Sequence, residues 1–185
     1  YYKKDIKIKK IKLKINQWIY AEFNKTTELV NKHLEEFRFD EASRVIYNFV
    51  WGSYCDWYLE FLKPIFNSKN HNAKAEALYF SSFMFMNMIK ILHPFIPFFT
   101  EHMWQENKFD KSFKSALIIS NWPSTSKIIP FEKSSKEIEN LIEIITAIRS
   151  TKVQLNIPPK EYCDIIYFKE SKKIRTIISN NLDII

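Results

Sequence analysis

Apolar residues recur at helical spacing through most of this sequence. The pattern predicts a first helix that follows an N-cap at Asn16 and ends near Glu36. Its apolar stripe consists of Ile19, Phe23, Val30, Leu34 and Phe37. Trp18 lies one residue off this stripe, which places it at the edge of the predicted buried face.

A second helix is predicted from an N-cap at Asp40 to Lys63, where Pro64 should stop it. The stretch "FVWGSYCDWYLEFLKP", residues 49–64, lies in this helix and is apolar on more than one face. Such a helix is typically buried between neighbours. We therefore interpret the aromatic stretch as part of the core of a helical bundle.

Two residues of that stretch need an explanation. Gly52 is the only glycine of the chain, and a glycine inside a helix costs about 1 kcal/mol relative to alanine. Close packing of a neighbouring backbone or ring would explain it. Asp56 is expected to be satisfied by a cation or by the N-terminus of another helix. His93 and His102 are interpreted as helix-end or packing residues.

The remaining pattern predicts mostly helices. The expected elements are a third helix at about 73–92, a short helix containing Glu101 and Trp104, an extended segment at 116–123, a fourth long helix at about 134–154, a strand at 162–168, and a last helix from about Ser171. One strand has no partner sheet of its own. The final part therefore indicates the start of a truncated α/β unit.

The fold class is thus mostly α, and three regions are predicted. Residues 1–15 alternate lysine with isoleucine or leucine and form either a basic extended arm or a poorly ordered basic tail. Residues 16–125 form the helical bundle. Residues 126–185 form the start of a C-terminal α/β subdomain. The lack of an initiator methionine indicates a segment of something longer.

Composition narrows the function classes. Hydrophobic residues make up 46% of 185 residues, which is enough for a real core. A single glycine argues against phosphate-binding loops and Rossmann turns. The net charge of +7 suits a polyanionic partner such as nucleic acid, although it can also simply maintain solubility.

Other site classes find no support in the sequence. Cys55 and Cys163 belong to no metal-binding or disulfide pattern, and both are expected to be buried, reduced thiols of a cytoplasmic protein. No uncharged apolar run of about 18 residues predicts a membrane span. Neither a catalytic triad nor a metal-binding HExxH motif is present.

Four long blocks resemble consecutive parts of the valyl-tRNA synthetase family. They read "FRFDEASRVIYNFVWGSYCDWYLEFLKP", "LHPFIPFFTEHMWQ", "ALIISNWP" and "IRSTKVQLNIPP". Their order and spacing match, and the resemblance extends from about Asn16 to the end of the chain. Isoleucyl and leucyl enzymes share the second block, whereas the Cys-Asp-Trp-Tyr and Pro-Pro elements favour the valyl family.

The resemblance implies a helical anticodon-binding domain that binds tRNA(Val). The parent would be a class I synthetase that uses ATP with magnesium and works as a monomer, and this chain would contain its anticodon-binding part. The family's HIGH-type and KMSKS-type motifs are absent from these 185 residues, and no cofactor is expected in this fragment. The alternatives are a helical protein–protein interaction domain, or the equivalent domain of an isoleucyl or leucyl enzyme.

The resemblance also implies which side chains meet tRNA. Trp18 matches a family aromatic residue that meets an anticodon base, and stacking on such rings holds single-stranded bases. The alternative is that Trp18 simply covers the end of the core. The candidate phosphate contacts are Lys25, Lys32 and Arg38, with plain solvation of these side chains as the alternative, and Arg149 and Lys152 are further candidates for tRNA binding. Gly52, Lys152 and Gln154 depart from the usual family residues, which puts local contacts in doubt. No match to an upstream arginine of the family appears in residues 1–15.

Overall fold

A computed structural model describes residues 11–113, 115–125, 131–158, 161 and 172–179. Its elements, in chain order, are α1 (Lys14–Glu35), α2 (Phe39–Asn48), a π-helix (Phe49–Tyr58), α3 (Leu59–Asn67), α4 (His71–Leu92), α5 (Pro97–Glu106), α6 (Phe109–Phe113), a 3-10 helix (Leu117–Ile119), α7 (Glu132–Gln154) and α8 (Lys172–Ser179). The mostly helical class is confirmed. The predicted strand at 162–168 lies outside the described residues.

The predicted long helices correspond to α1, α4 and α7, and the predicted short helix corresponds to α5. The segment 116–123 is not wholly extended, because a turn of 3-10 helix occupies Leu117–Ile119. No helix in the described part of the chain combines the length and hydropathy of a membrane span.

The second predicted helix differs from the expectation in three ways. It begins at Phe39, with Asp40 in the first turn rather than at the N-cap. It passes through ten residues of π-helix, a conformation that is rare and usually limited to one turn. It also continues through Pro64 to Asn67. The proline deprives the carbonyl of Glu60 of its helical donor, and Glu60 is exposed, so water can replace that bond.

The core brings α1, α2, the π-helix, α3 and α4 together with α7. One apolar cluster includes Ile19 of α1, Tyr58 of the π-helix, Met84 of α4 and Leu141 of α7. A smaller cluster surrounds Trp104, whose indole N–H donates to the carbonyl of Ser115 at 2.9 Å. The predicted division at residue 126 stays a prediction, but α7 shares the core of the bundle.

A buried polar contact fixes the start of α1. Asn16 is not an N-cap: it lies in the first turn of α1 and is 0% exposed. Its side-chain oxygen accepts from the Tyr58 hydroxyl at 2.9 Å, and its amide donates to Glu76 Oε1 at 3.1 Å. The same oxygen of Glu76 accepts the backbone N–H of Leu13 at 2.8 Å. A carboxylate of α4 therefore caps the N-terminus of α1.

The aromatic stretch 49–64 is only partly core. Tyr54 and Tyr58 are buried, whereas Trp51 is 54% exposed. Gly52 is exposed, and a Cβ built there meets nothing within 4 Å, so the predicted close packing is wrong. Asp56 is also exposed and has no hydrogen bond or ion pair with the described residues, so the prediction of a satisfied carboxylate is wrong.

Trp18 lies inside the core rather than at its edge. It is 3% exposed, and its ring meets Phe61 edge to face, with centroids 6.3 Å apart. Phe37 departs from the prediction in the opposite direction. It belongs to the predicted buried stripe, yet it is 80% exposed. The helix ends at Glu35, and Phe37 adopts a left-handed conformation with φ of 58° in the turn that follows.

The burial of Trp18 predicts a large loss of stability for Trp18→Ala. Truncation of a buried tryptophan costs about 3–5 kcal/mol. The matched change Trp51→Ala removes a half-exposed ring and should cost less than about 1 kcal/mol. Urea unfolding followed by circular dichroism measures both losses. Equal losses for the two variants would contradict the assignment of Trp18 to the core.

The buried tyrosines predict that the bundle weakens in alkali. Burial raises the pKa of Tyr54 from its usual 10.0 to about 12, and burial also raises the pKa of Tyr58. Because both pKa values are raised on folding, their stabilising contribution is complete below about pH 10 and is lost as pH rises above it. Urea midpoints should therefore fall from pH 10 upwards. A constant midpoint through this range would contradict the prediction.

Candidate nucleic-acid interface

Four of the five candidate cations lie on two helices that pack against each other. Lys25 and Lys32 are on α1, and Arg149 and Lys152 are on α7. Arg38 follows the turn at the end of α1 and serves as the N-cap residue of α2. The candidates therefore come from three elements of the fold rather than from one helix.

Lys25 is held by carboxylates. Its ammonium lies 2.6 Å from Glu22 on the same helix and 3.7 Å from Glu139 on α7. The hydrogen bond to Glu22 raises the pKa of Lys25 above its usual value. Because Lys25 and Glu139 are both partly exposed, the bridge contributes little to stability. It does, however, partly neutralise the charge that a phosphate would meet.

Lys32 and Arg38 differ in their surroundings. Lys32 is exposed and has no ion pair with the described residues. The Arg38 guanidinium lies 3.8 Å from Glu36 and 3.4 Å from Glu41. Lys32 is therefore the candidate of α1 whose charge is most available to a polyanion.

The two candidates of α7 also have intramolecular partners. The exposed Arg149 guanidinium lies over the Trp57 ring, 5.1 Å from its centroid, which is a cation–π contact. The Lys152 ammonium donates to the backbone carbonyl of Glu161 at 2.5 Å. Arg149 leaves its donors at the surface, whereas Lys152 already uses one of its donors.

Trp18 is not accessible at this surface, because its ring is buried in the core. Its predicted contact with an anticodon base stays a prediction. Other rings are accessible, although the sequence analysis proposed none of them for binding, and two of these lie next to Arg38 in sequence. Phe37 and Phe39 meet edge to face with centroids 6.3 Å apart, at 80% and 56% exposure. The left-handed turn that exposes Phe37 contains neither glycine nor asparagine, the residues that usually adopt this conformation. The sequence therefore did not indicate a turn at this position.

One surface cavity near Lys25 does not add a second site. A cavity of about 550 Å³ beside the start of α7 is lined by Lys25, Lys136, Glu132, Glu139 and Ser135. Two lysines and two glutamates leave this lining without net charge, so it does not favour a phosphate. The described residues also bring together no set of three or more His, Cys, Asp or Glu side chains that could bind a metal ion.

Part of the positive charge of the chain belongs to residues that the structure does not describe. Nine of the 28 lysine and arginine residues fall outside the described residues, and five of these nine are within residues 1–10. The described surface is therefore less basic than the net charge of the chain implies, and the cations of α1 and α7 are interspersed with glutamates.

Comparison with known proteins adds the family. Residues 16–167 match the model of the anticodon-binding domain of tRNA ligase. Valine--tRNA ligase of Pelagibacter ubique is 41% identical over 173 residues, which are 92% of this chain and 19% of the relative. Valine--tRNA ligase of Brucella suis is 35% identical over 169 residues, which are 91% of this chain and 18% of the relative.

A more distant relative gives the same result. Valine--tRNA ligase of Staphylococcus aureus is 32% identical over 184 residues, covering 97% of this chain and 21% of the relative. The chain thus spans about a fifth of the length of the curated relatives it matches. By this match and these relatives, the chain belongs to the anticodon-binding domain family of tRNA ligases, in its valyl-tRNA synthetase branch.

Proposed function

We propose that this region binds the anticodon part of tRNA(Val) and positions that tRNA for valylation. The catalytic step would take place in a separate domain that uses ATP with magnesium, outside residues 1–185, and in the cytoplasm. The observation that carries the proposal is the family match over residues 16–167 together with relatives that are valine--tRNA ligases. The monomeric parent implied by the resemblance stays a prediction.

The surface supports binding through scattered phosphate contacts. Lys32 is exposed without an ion pair among the described residues, and Arg149 presents its guanidinium on the Trp57 ring. Arginine and lysine contacts to phosphate position a nucleic acid without reading its sequence. Discrimination of the anticodon therefore needs ring or base-edge contacts in addition, and Trp18 supplies one only if its ring leaves the core.

A protein–protein interaction domain remains the second candidate function. The exposed aromatic residues Phe37, Phe39, Tyr47 and Trp51 favour it, since aromatic side chains are enriched at protein interfaces. Salt dependence separates the two candidates, because phosphate contacts release counterions and an apolar protein contact does not.

The proposal predicts tRNA binding that weakens with salt. We expect the chain to bind tRNA(Val) more tightly than an anticodon-swapped control, as measured by fluorescence anisotropy at several salt concentrations. Lys32→Ala should weaken both RNAs alike and reduce the salt slope by about 1, since one phosphate contact is lost. The matched variant Lys69→Ala changes another exposed lysine and should leave the slope unaltered.

Two results would contradict the proposal. An affinity for tRNA(Val) that does not vary with salt would mean that phosphate contacts do not carry the binding, and would favour the protein–protein interaction domain. Equal affinity for tRNA(Val) and the anticodon-swapped RNA would remove the specificity, even if salt-dependent binding remains.

A further inference from the structure

Arg149 is a surface cation whose charge has no counter-ion among the described residues. Its side chain is exposed and forms neither an ion pair nor a hydrogen bond with that part of the chain. Lys25 and Arg38, by contrast, each form ion pairs with glutamates. The Arg149 guanidinium therefore keeps its positive charge and its N–H donors for an external acceptor.

The contact that the structure does give Arg149 is with the ring of Trp57. The guanidinium carbon lies over that ring, 5.1 Å from its centroid. A cation over a ring face is attracted by the ring without using any hydrogen-bond donor. A planar guanidinium also stacks on aromatic faces, and it is more weakly hydrated than an ammonium group. The contact therefore restrains a long side chain and leaves its donors available.

The Trp57 ring is in turn held by the core. It is half-buried and packs against Phe61, with centroids 5.7 Å apart. Phe61 is 2% exposed and meets Trp18 edge to face, with centroids 6.3 Å apart. Side chains in a close-packed interior occupy defined rotamers. These rings thus connect the buried face of α1 to the surface position of Arg149.

The charged residues around this contact leave the guanidinium open to an anion. Asp56 is exposed and precedes Trp57 in sequence, yet it forms no ion pair with Arg149. Lys152 lies one turn further along α7, and residues at this spacing share one face of a helix. A phosphate that meets Arg149 would therefore approach a face of α7 that carries a second cation.

We propose that Trp57 is a positioning residue for tRNA binding, which holds the Arg149 guanidinium ready to contact a phosphate of the tRNA backbone. The inference rests on the proposed function and adds a residue that acts through Arg149 rather than on the RNA itself. An unrestrained arginine loses rotamer freedom when it binds a phosphate, whereas a restrained one has already lost part of it. Trp57 therefore raises the affinity for tRNA without adding a contact to it.

Fluorescence anisotropy of the full 185-residue chain with tRNA(Val), at several salt concentrations, tests the inference. Trp57→Met removes the ring and fills the space against Phe61 with a flexible apolar side chain. We expect it to weaken binding by about threefold with an unaltered salt slope, because Arg149 stays charged and still reaches the phosphate. Arg149→Ala should weaken binding by about tenfold and reduce the slope by about 1.

The double variant separates positioning from a merely structural role. In the Arg149→Ala background, Trp57→Met should cause no further loss, because the residue through which Trp57 acts is gone. Trp57→Tyr keeps an aromatic face and should bind within about twofold of the unaltered chain. The matched control is Trp51→Met, which removes an exposed ring of the same π-helix and should leave the affinity unchanged. Trp57→Leu is a second variant without a ring, for use if Trp57→Met loses its helical circular dichroism.

NMR relaxation of the Arg149 Nε–H group measures the order of this side chain without RNA. The order should fall in Trp57→Met and stay the same in Trp51→Met. Unchanged order in Trp57→Met, unchanged tRNA affinity in that variant, or an equal loss in the Arg149→Ala background would each overturn the inference while the proposed function stands. A chain with an ordered Arg149 that shows no salt-dependent binding of tRNA(Val) would instead refute the proposed function, and the inference with it.

Discussion

The Glu76 carboxylate is the contact on which the arrangement of the bundle depends. It accepts backbone N–H groups of Leu13 at 2.8 Å and of Lys12 at 3.1 Å, and it accepts the side-chain amide of Asn16. The first N–H groups of any helix lack intrahelical partners, so a carboxylate from another helix satisfies them and complements the helix dipole. Through Asn16 the contact extends to the Tyr58 hydroxyl, which joins α4, α1 and the π-helix.

The position of α1 in turn determines where the candidate cations lie. α7 packs against α1, so Lys25 comes within 3.7 Å of Glu139, while Lys32 remains exposed. Arg149 is placed over Trp57 of the π-helix. The proposed tRNA contacts are therefore consequences of how α1, α7 and the π-helix pack together.

Apolar periodicity predicted the helices well, because burial of one face stabilises a helix whatever its exact ends are. It could not predict the continuation through Pro64, which depends on an exposed Glu60 carbonyl, or the π-helix at 49–58. The roles of individual side chains also needed the fold. The sequence pattern predicts Asn16 as a cap, but its partners are 42 and 60 residues away, and the partner of Lys25 on α7 is still more remote in sequence.

A double-mutant cycle between Tyr58 and Glu76 tests most directly whether this polar contact organises the bundle. Tyr58→Phe, Glu76→Gln and the double variant would be unfolded in urea, with stability measured by circular dichroism. Because both residues act on Asn16, we predict a coupling of at least about 0.5 kcal/mol between the two changes. Losses that simply add would mean that the residues stabilise the bundle separately, and would contradict the account.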